Sequence, residues 1–172
     1  WNLTIPITLT FEDLYSVKYF DSSNWMIVGA SNILSSSDHG ATWNSIPDMY
    51  FYETFYDFAI LNSTTALAVG YGGVIIKTND TGSSWKMQSG GLAGIFLDVD
   101  FIDKNTTTIV GNRGAIYRTT NAGSSWIQQA FGSGDLNAVE FSDINDGFAA
   151  GQDGRINHTS DGGINWTLQF QH

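Results

Sequence analysis

The chain has 172 residues, no cysteine and a formal net charge of −10. This length suits one domain, and the acidic excess argues against nucleic acid or an anionic membrane surface as a partner, since both attract basic patches. No run of 18 or more apolar residues occurs, so no segment is expected to span a membrane. With 42% hydrophobic residues but no long apolar stretch of helical period, we expect a large core and little helix.

The first eleven residues predict an amphipathic β-strand. Apolar side chains alternate there with polar ones, and we interpret the apolar set as an assembly strand: Trp1, Leu3, Ile5, Ile7, Leu9 and Phe11. Its apolar face has to be covered by the first or last unit of its own chain, by a groove in the same chain, or by the edge of a neighbouring copy. Addition to a copy is head-to-tail contact, which grows into a filament when it does not close into a ring.

The remainder repeats a unit of about 41 residues four times, over 12–48, 49–90, 91–131 and 132–172. Each unit predicts four short strands. In the fourth repeat they are Leu136–Phe141, Gly147–Gly151, Arg155–Thr159 and Asn165–Phe170. A period near 40 residues with strand-type composition predicts propeller blades or another stacked β-array.

A short apolar run in each repeat ends in a glycine, and a second glycine follows three residues later, as in Gly111 and Gly114. This spacing predicts a tight hairpin that needs positive φ. In the first repeat Asn32 stands where the second glycine is expected. Asparagine tolerates the left-handed region better than other non-glycine residues.

The clearest recurring pattern is Ser/Thr-x-Asp/Asn-x-Gly-x-x-Trp. Its acidic or amide side chain can accept backbone N–H groups across a turn, its glycine adopts the special φ, and its tryptophan should pack between neighbouring repeats. These residues are Asp38, Gly40 and Trp43; Asp80, Gly82 and Trp85; Asn121, Gly123 and Trp126; and Asp161, Gly163 and Trp166. We predict that Trp85→Ala costs roughly 3–5 kcal/mol of stability.

This turn resembles the Asp-box, or BNR, repeat of sialidase-type β-propellers. The longer pattern, with Val-Gly-x-x-Gly-x-Ile ahead of the turn, resembles the propeller family of photosystem II stability and assembly factors, most clearly over Thr107–Trp126. The resemblance implies an all-β fold of four propeller-type, four-stranded repeats, with residues 1–11 as an additional strand. It also implies protein partners bound through an arginine patch, whereas this chain has three arginines in all: Arg113, Arg118 and Arg155.

The sequence offers little for catalysis. A sialidase-type site needs three converging arginines. Arg113 and Arg155 belong to hairpins at the same end of neighbouring repeats, but Arg118 is predicted near the opposite end. Glutamates do not pair for acid–base chemistry, and the three histidines are scattered without metal-ligand spacing. We therefore predict no catalytic residue, no metal and no cofactor.

The least repetitive stretch is aromatic. It contains Tyr50, Phe51, Tyr52 and Tyr56. These side chains either cap the core or form a surface patch for a protein or a glycan. Arg113 and Arg155 belong to equivalent hairpins of neighbouring repeats, so they are a second candidate binding face.

Six asparagines occur in Asn-x-Ser/Thr sequons, which mark surface positions in secreted chains. They are Asn2, Asn62, Asn79, Asn105, Asn157 and Asn165. We expect an exported, glycosylated protein, extracellular or at the cell surface, with Asn62 and Asn105 as the best glycan candidates.

Two hypotheses on function follow. The first is a non-catalytic structural subunit that forms homopolymers head-to-tail by N-terminal strand addition. The alternative is a small propeller module that recognises a protein or glycan; a glycosidase-like enzyme is a distant third. Whether residues 1–11 cover their own molecule or another one discriminates between the first two.

Overall fold

The protein is all-β in a computed structural model that describes residues 12–46, 53–88, 92–130, 132 and 134–170. Within these residues, sixteen strands form four antiparallel sheets of four strands each, and every sheet is a simple meander. The sheets are arranged like the blades of a propeller that is not closed into a ring. The predicted assembly strand lies outside the described residues. No helix in the described part of the chain is long and apolar enough to cross a membrane.

The blades share one strand order, from the innermost strand outward. The first blade consists of β1 (Leu14–Tyr19), β2 (Trp25–Gly29), β3 (Asn32–Ser36) and β4 (Asn44–Ser45). The second consists of β5 (Phe55–Ile60), β6 (Ala66–Gly70), β7 (Ile75–Thr78) and β8 (Lys86–Met87). The third consists of β9 (Phe96–Phe101), β10 (Thr107–Gly111), β11 (Ile116–Thr119) and β12 (Ile127–Ala130). The fourth consists of β13 (Leu136–Phe141), β14 (Gly147–Gly151), β15 (Ile156–Thr159) and β16 (Thr167–Phe170).

The two outer strands of the fourth blade begin later than predicted. Arg155 is not in β15, because its N–H donates to the carbonyl of Gln152 at 3.0 Å and closes a short 3-10 turn. Asn165 is not in β16, because its N–H donates to Asp161 Oδ1 at 2.9 Å inside the Asp-box turn. Side-chain and turn hydrogen bonds thus take the N–H groups that a strand ladder would have used.

The two glycines of each hairpin have different roles. Gly111 is extended at φ −172°, and a Cβ there would collide with the carbonyl of Ile95. It is therefore required by the close approach of strands β9 and β10, and the predicted positive φ belongs to Gly114 at +65°. In the first blade Ser31, at φ +56°, takes the left-handed conformation; the prediction that Asn32 does so was wrong.

The hydrophobic core lies between blades. Three clusters join the first blade to the second, the second to the third and the third to the fourth. Each cluster also takes in the box tryptophan of the later blade, which is Trp85, Trp126 or Trp166. Burial of apolar area between sheets is therefore what holds one repeat against the next.

Candidate functional site

The Asp-box turns stabilise the blades. In the second blade Asp80 Oδ1 accepts from Thr78 Oγ1 at 2.7 Å and from the Ser84 N–H at 2.9 Å. The Gly82 N–H donates to Thr78 Oγ1 at 3.0 Å, and Gly82 has φ +81°. Asn121 makes the corresponding contacts in the third blade with its amide oxygen. The Thr78 hydroxyl and both carboxylate oxygens of Asp80 are thus engaged within the turn, which makes this element a folding device.

The box carboxylates are correspondingly acidic. The Thr42 hydroxyl and N–H donate to Asp38 and lower its pKa to about 2. The N–H and side-chain amide of Asn165 lower the pKa of Asp161 to about 2 as well. Hydrogen bonds that favour the ionised form produce this shift. These turns therefore stay intact at neutral pH.

The innermost strands converge on a central cleft of about 510 Å³. Across the cleft wall the blades are joined by carboxylates: Lys18 Nζ lies 3.1 Å from Asp57 Oδ2, and the Ser16 hydroxyl donates to Asp57 Oδ1 at 2.7 Å. Between the third and fourth blades, the Val139 N–H donates to Asp98 Oδ2 at 2.6 Å. The Phe141 N–H donates to Asp100 Oδ2 at 2.9 Å. These partners are about one repeat apart, so the carboxylates connect the inner strands of successive blades through hydrogen bonds.

Two of these acids have strongly raised pKa values. Burial, followed by a hydrogen bond to Asp57 and the charge of Asp57, raises the pKa of Asp98 to about 8. Burial is also the main reason that the pKa of Asp100 is raised to about 6. Asp98 is therefore mainly protonated at neutral pH and can donate to Asp57. Since both acids are engaged with neighbouring blades, we assign them to the scaffold.

The hairpins between the second and third strands of the blades carry exposed polar side chains, among them Ser31, Arg113 and Asp153. A cavity of about 320 Å³ lies at this end of the molecule. It is lined by Ala93, Gly94, Asn112, Arg113, Tyr117 and Gln128. The sequence pointed to Arg113 but not to the others, because they come from three separate segments that share no motif.

Arg113 is held by its backbone and leaves its side chain at the rim. Its φ is +56°, and its N–H donates to Asp135 Oδ1 at 2.9 Å. The side chain is exposed, and within the described ranges its guanidinium makes no hydrogen bond or ion pair. The backbone of Arg113 is thus held beside the cavity, and its exposed side chain places a cation at the rim.

Arg155 reaches back to the same place. Its Nη1 lies 3.1 Å from where a Cβ of Gly114 would stand, and its Nε donates to Asn157 Oδ1 at 3.4 Å. The structure therefore brings Arg155 of the fourth blade to the hairpin that carries Arg113. Arg118 lies elsewhere, between the blades beside Gly162, as expected from its position on the strand.

The aromatic patch is described only in part. The ring of Tyr56 lies 5.2 Å from that of Tyr15 on the first blade. Tyr50, Phe51 and Tyr52 lie outside the described residues, and their role stays a prediction. The described residues contain no group of three or more acidic or histidine side chains able to hold a metal ion.

The sequons differ in accessibility. Asn62, Asn79, Asn105 and Asn165 are exposed, and Asn2 lies outside the described residues. Asn157 is 3% exposed on β15, so the folded chain does not offer its amide for glycosylation, contrary to the prediction. The sequence pattern missed this because Asn157 takes an inward position that is apolar in the other blades.

The four meander sheets, the Asp-box turns and the inter-blade cores define a β-propeller protein of the BNR-repeat class. The chain belongs to the family described as photosynthesis system II assembly factor YCF48, whose sequence profile matches residues 1–133. The predicted resemblance and the predicted fold class are thereby confirmed.

Solved propellers share this fold at low sequence identity. A structure of YCF48 bound to D1 peptide has a TM-score of 0.74 and 20% identity, over 92% of this chain and 55% of that one. YCF48 from Cyanidioschyzon merolae has a TM-score of 0.73 and 21% identity, over 95% and 57%. An ancestral GH74 enzyme has a TM-score of 0.74 and 15% identity, over 90% and 25%. The chain thus spans little more than half of the YCF48 chains. No curated protein matches it.

Proposed function

We propose that the chain is a non-catalytic, protein-binding propeller module that takes a carboxylate-bearing peptide segment at the hairpin cavity. The observation that carries this proposal is the exposed Arg113 side chain at the rim of the 320 Å³ cavity. A guanidinium group can hold a carboxylate through two parallel hydrogen bonds. Amide side chains of Asn112 and Gln128 line the same cavity and supply groups for a peptide backbone.

Family membership supports a protein partner. A related propeller has been solved with a bound peptide, D1, and propeller surfaces suit extended segments. The overall charge of −10 makes Arg113 a local exception on an acidic surface, which favours a defined carboxylate over a broadly acidic partner. The GH74 likeness adds only the fold, since fold does not imply function.

The test is a binding titration with a pool of peptides whose C-terminal carboxylate is either free or amidated. We expect Arg113→Gln to weaken binding of the free-carboxylate peptides at least tenfold, at a cost of about 1.4 kcal/mol or more. Lys104→Gln is the matched control, because Lys104 is an exposed cation at the other end of the third blade. Equal losses in both variants, or no preference for the free carboxylate, would overturn the proposal.

We further propose export and glycosylation, which the exposed sequon asparagines Asn62 and Asn105 support. Assembly by addition of residues 1–11 to another copy stays a proposal as well. It depends on residues outside the described part of the chain, and a truncation lacking residues 1–11 tests it: filaments that persist after truncation would contradict it.

A further inference from the structure

A cavity of about 250 Å³ lies between the outer strands of the first blade and the Asp-box turn of the second blade. Its walls include Ser35 on β3, Ser45 on β4, and the turn residues Thr81, Gly82 and Ser83. The Asp-box turns follow the third strand of each blade, so this cavity lies at the opposite end of the blades from the hairpin tips. Its volume is below the roughly 300–1,000 Å³ of pockets for drug-sized ligands, and it suits a single side chain.

In the next two contacts between blades, a long cationic side chain occupies the equivalent place. The strand register puts Lys77 of the second blade and Arg118 of the third at the position of Ser35. Lys77 Nζ donates to the carbonyl of Ala122, in the Asp-box turn of the following blade, at 3.1 Å. Arg118 Nη2 lies 3.3 Å from where a Cβ of Gly162 would stand, in the next such turn. The cavity therefore occurs at the contact where a serine replaces a lysine or an arginine.

The acceptor that such a cation would use is present in the cavity wall. Thr81 has the position in its turn that Ala122 has in the next one. The Thr81 N–H donates to the carbonyl of Thr64 at 2.9 Å and its hydroxyl to that of Ser63 at 3.0 Å, which fixes the turn. Among the described residues, no donor reaches the carbonyl of Thr81. A half-buried acceptor of this kind favours a ligand that brings a donor.

The first blade also adds an aromatic wall to this cavity. Trp25 lines it, whereas the strand register puts Ala66, Thr107 and Gly147 at the same position in the other blades. The indole N–H donates to the carbonyl of Ser22 at 3.2 Å and so fixes the ring. An indole face attracts a cation, and the alkyl stem of a lysine packs well on apolar surface. The blade that lacks the long cation thus carries a ring suited to receiving one.

We propose that this cavity, which we call the ammonium cavity, binds a lysine side chain of a partner protein. The ammonium group donates to the Thr81 carbonyl, as Lys77 does to Ala122, and its stem lies along Trp25. All seven lysine and arginine residues of the sequence belong to the described ranges. The undescribed residues of this sequence therefore bring no cationic side chain to the cavity. The net charge of −10 favours the approach of a cationic partner.

The experiment is an NMR titration of the isotope-labelled chain, which follows the indole N–H of Trp25 and the amides of Gly82 and Ser83. The probe is N-acetyl-lysine N-methylamide, and the matched probe is the same molecule acetylated at its ε-amine. We expect saturable shifts with the first probe and none with the second, because only the first carries an ammonium group. Trp25→Leu, followed by the two amides, should weaken binding about two- to fivefold, the loss expected for one exposed cation–π contact.

Ser35→Lys should abolish binding of the probe, because it restores the side chain that fills the groove in the second blade. Ser35→Met is a second variant that fills the cavity without charge, and it should also abolish binding. Ser160→Lys is the matched control, since it adds the same charge at an exposed serine of the fourth blade, and it should leave the affinity unchanged. Circular dichroism spectra that match those of the unaltered chain show that each variant folds.

Three results would overturn the proposal: no saturable shift with the lysine probe, an equal response to the acetylated probe, or unchanged binding in Ser35→Lys. The first result does so whatever covers the cavity in solution. Free butylamine has the same stem and ammonium group but no peptide backbone. If it binds more tightly than the lysine probe, the cavity is a site for small amines and the partner lysine is refuted.

Discussion

The carboxyl groups of Asp98 and Asp57 are hydrogen-bonded to each other across two neighbouring blades. Asp98 also accepts the N–H of Val139 on the blade beyond. A single protonated acid therefore connects the inner strands of three blades. Protonation is what allows two carboxyl groups to approach this closely without repulsion.

Stability should fall as the pH rises through the neutral range. The folded pKa of Asp98 is about 8 against an ordinary value of 3.8, so between these values the folded chain holds a proton that the unfolded chain releases. The free energy of unfolding then decreases with rising pH. Because the corresponding effect of Asp100 ends at about 6, the carboxyl group that contributes to this decrease between about 6 and about 8 is that of Asp98.

Thermal melts across that interval measure the effect. We expect the melting temperature of the unaltered chain to drop, with roughly 2–4 °C for each kcal/mol lost. Asp98→Asn should flatten the drop, because an amide keeps a donor and an acceptor but does not titrate. An equally steep drop in Asp98→Asn would show that other groups are responsible.

The Asp box should tolerate an amide and not a methyl group. Asn121 already replaces aspartate in the third blade and keeps the turn hydrogen bonds. We therefore expect Asp80→Asn to change stability little and Asp80→Ala to cost about 1.5–3 kcal/mol, the range for hydrogen bonds to a charged group. Urea denaturation curves of the two variants decide this, and similar losses in both would contradict it.

Two box tryptophans should differ in their contribution to stability. Trp85 packs against the core between the first two blades, so Trp85→Ala should cost about 3–5 kcal/mol. Trp43 belongs to none of the three described cores, and Trp43→Ala should cost about 1 kcal/mol. Denaturation at the lowest practical protein concentration tests both, since dilution avoids any contact between copies. Equal costs would refute this assignment of the inter-blade packing.

Glycans, if the chain is exported, should follow accessibility. We expect them on Asn62 and Asn105, which lie in exposed turns, and not on the buried Asn157. Mass spectrometry of peptides from the secreted protein gives the occupancy of each sequon. Modification of Asn157 would mean that transfer precedes folding of β15.

The repeat itself was predictable because its signals are local. Strand alternation and the box pattern from Thr78 to Trp85 are contained in a few residues, and four copies reinforce them. The contact between Asp98 and Val139 was not predictable, since it joins residues 41 positions apart and depends on how blades stack. The cavity beside Arg113 was missed for the same reason: Gly94, Arg113 and Gln128 come from different segments.

At the hairpin tips the backbone conformation is shared by all four blades, whereas the side chain differs. Ser31, Gly72, Arg113 and Asp153 occupy equivalent tips, and all four have φ between +56° and +70°. Their backbone conformation is the same, while Ser31 carries a hydroxyl group, Gly72 has no side chain, Arg113 carries a cation and Asp153 carries an anion. For a non-glycine residue this conformation costs roughly 1–2 kcal/mol, which each blade tolerates. The side-chain chemistry of one hairpin tip can therefore change independently of the others while the blades keep their fold.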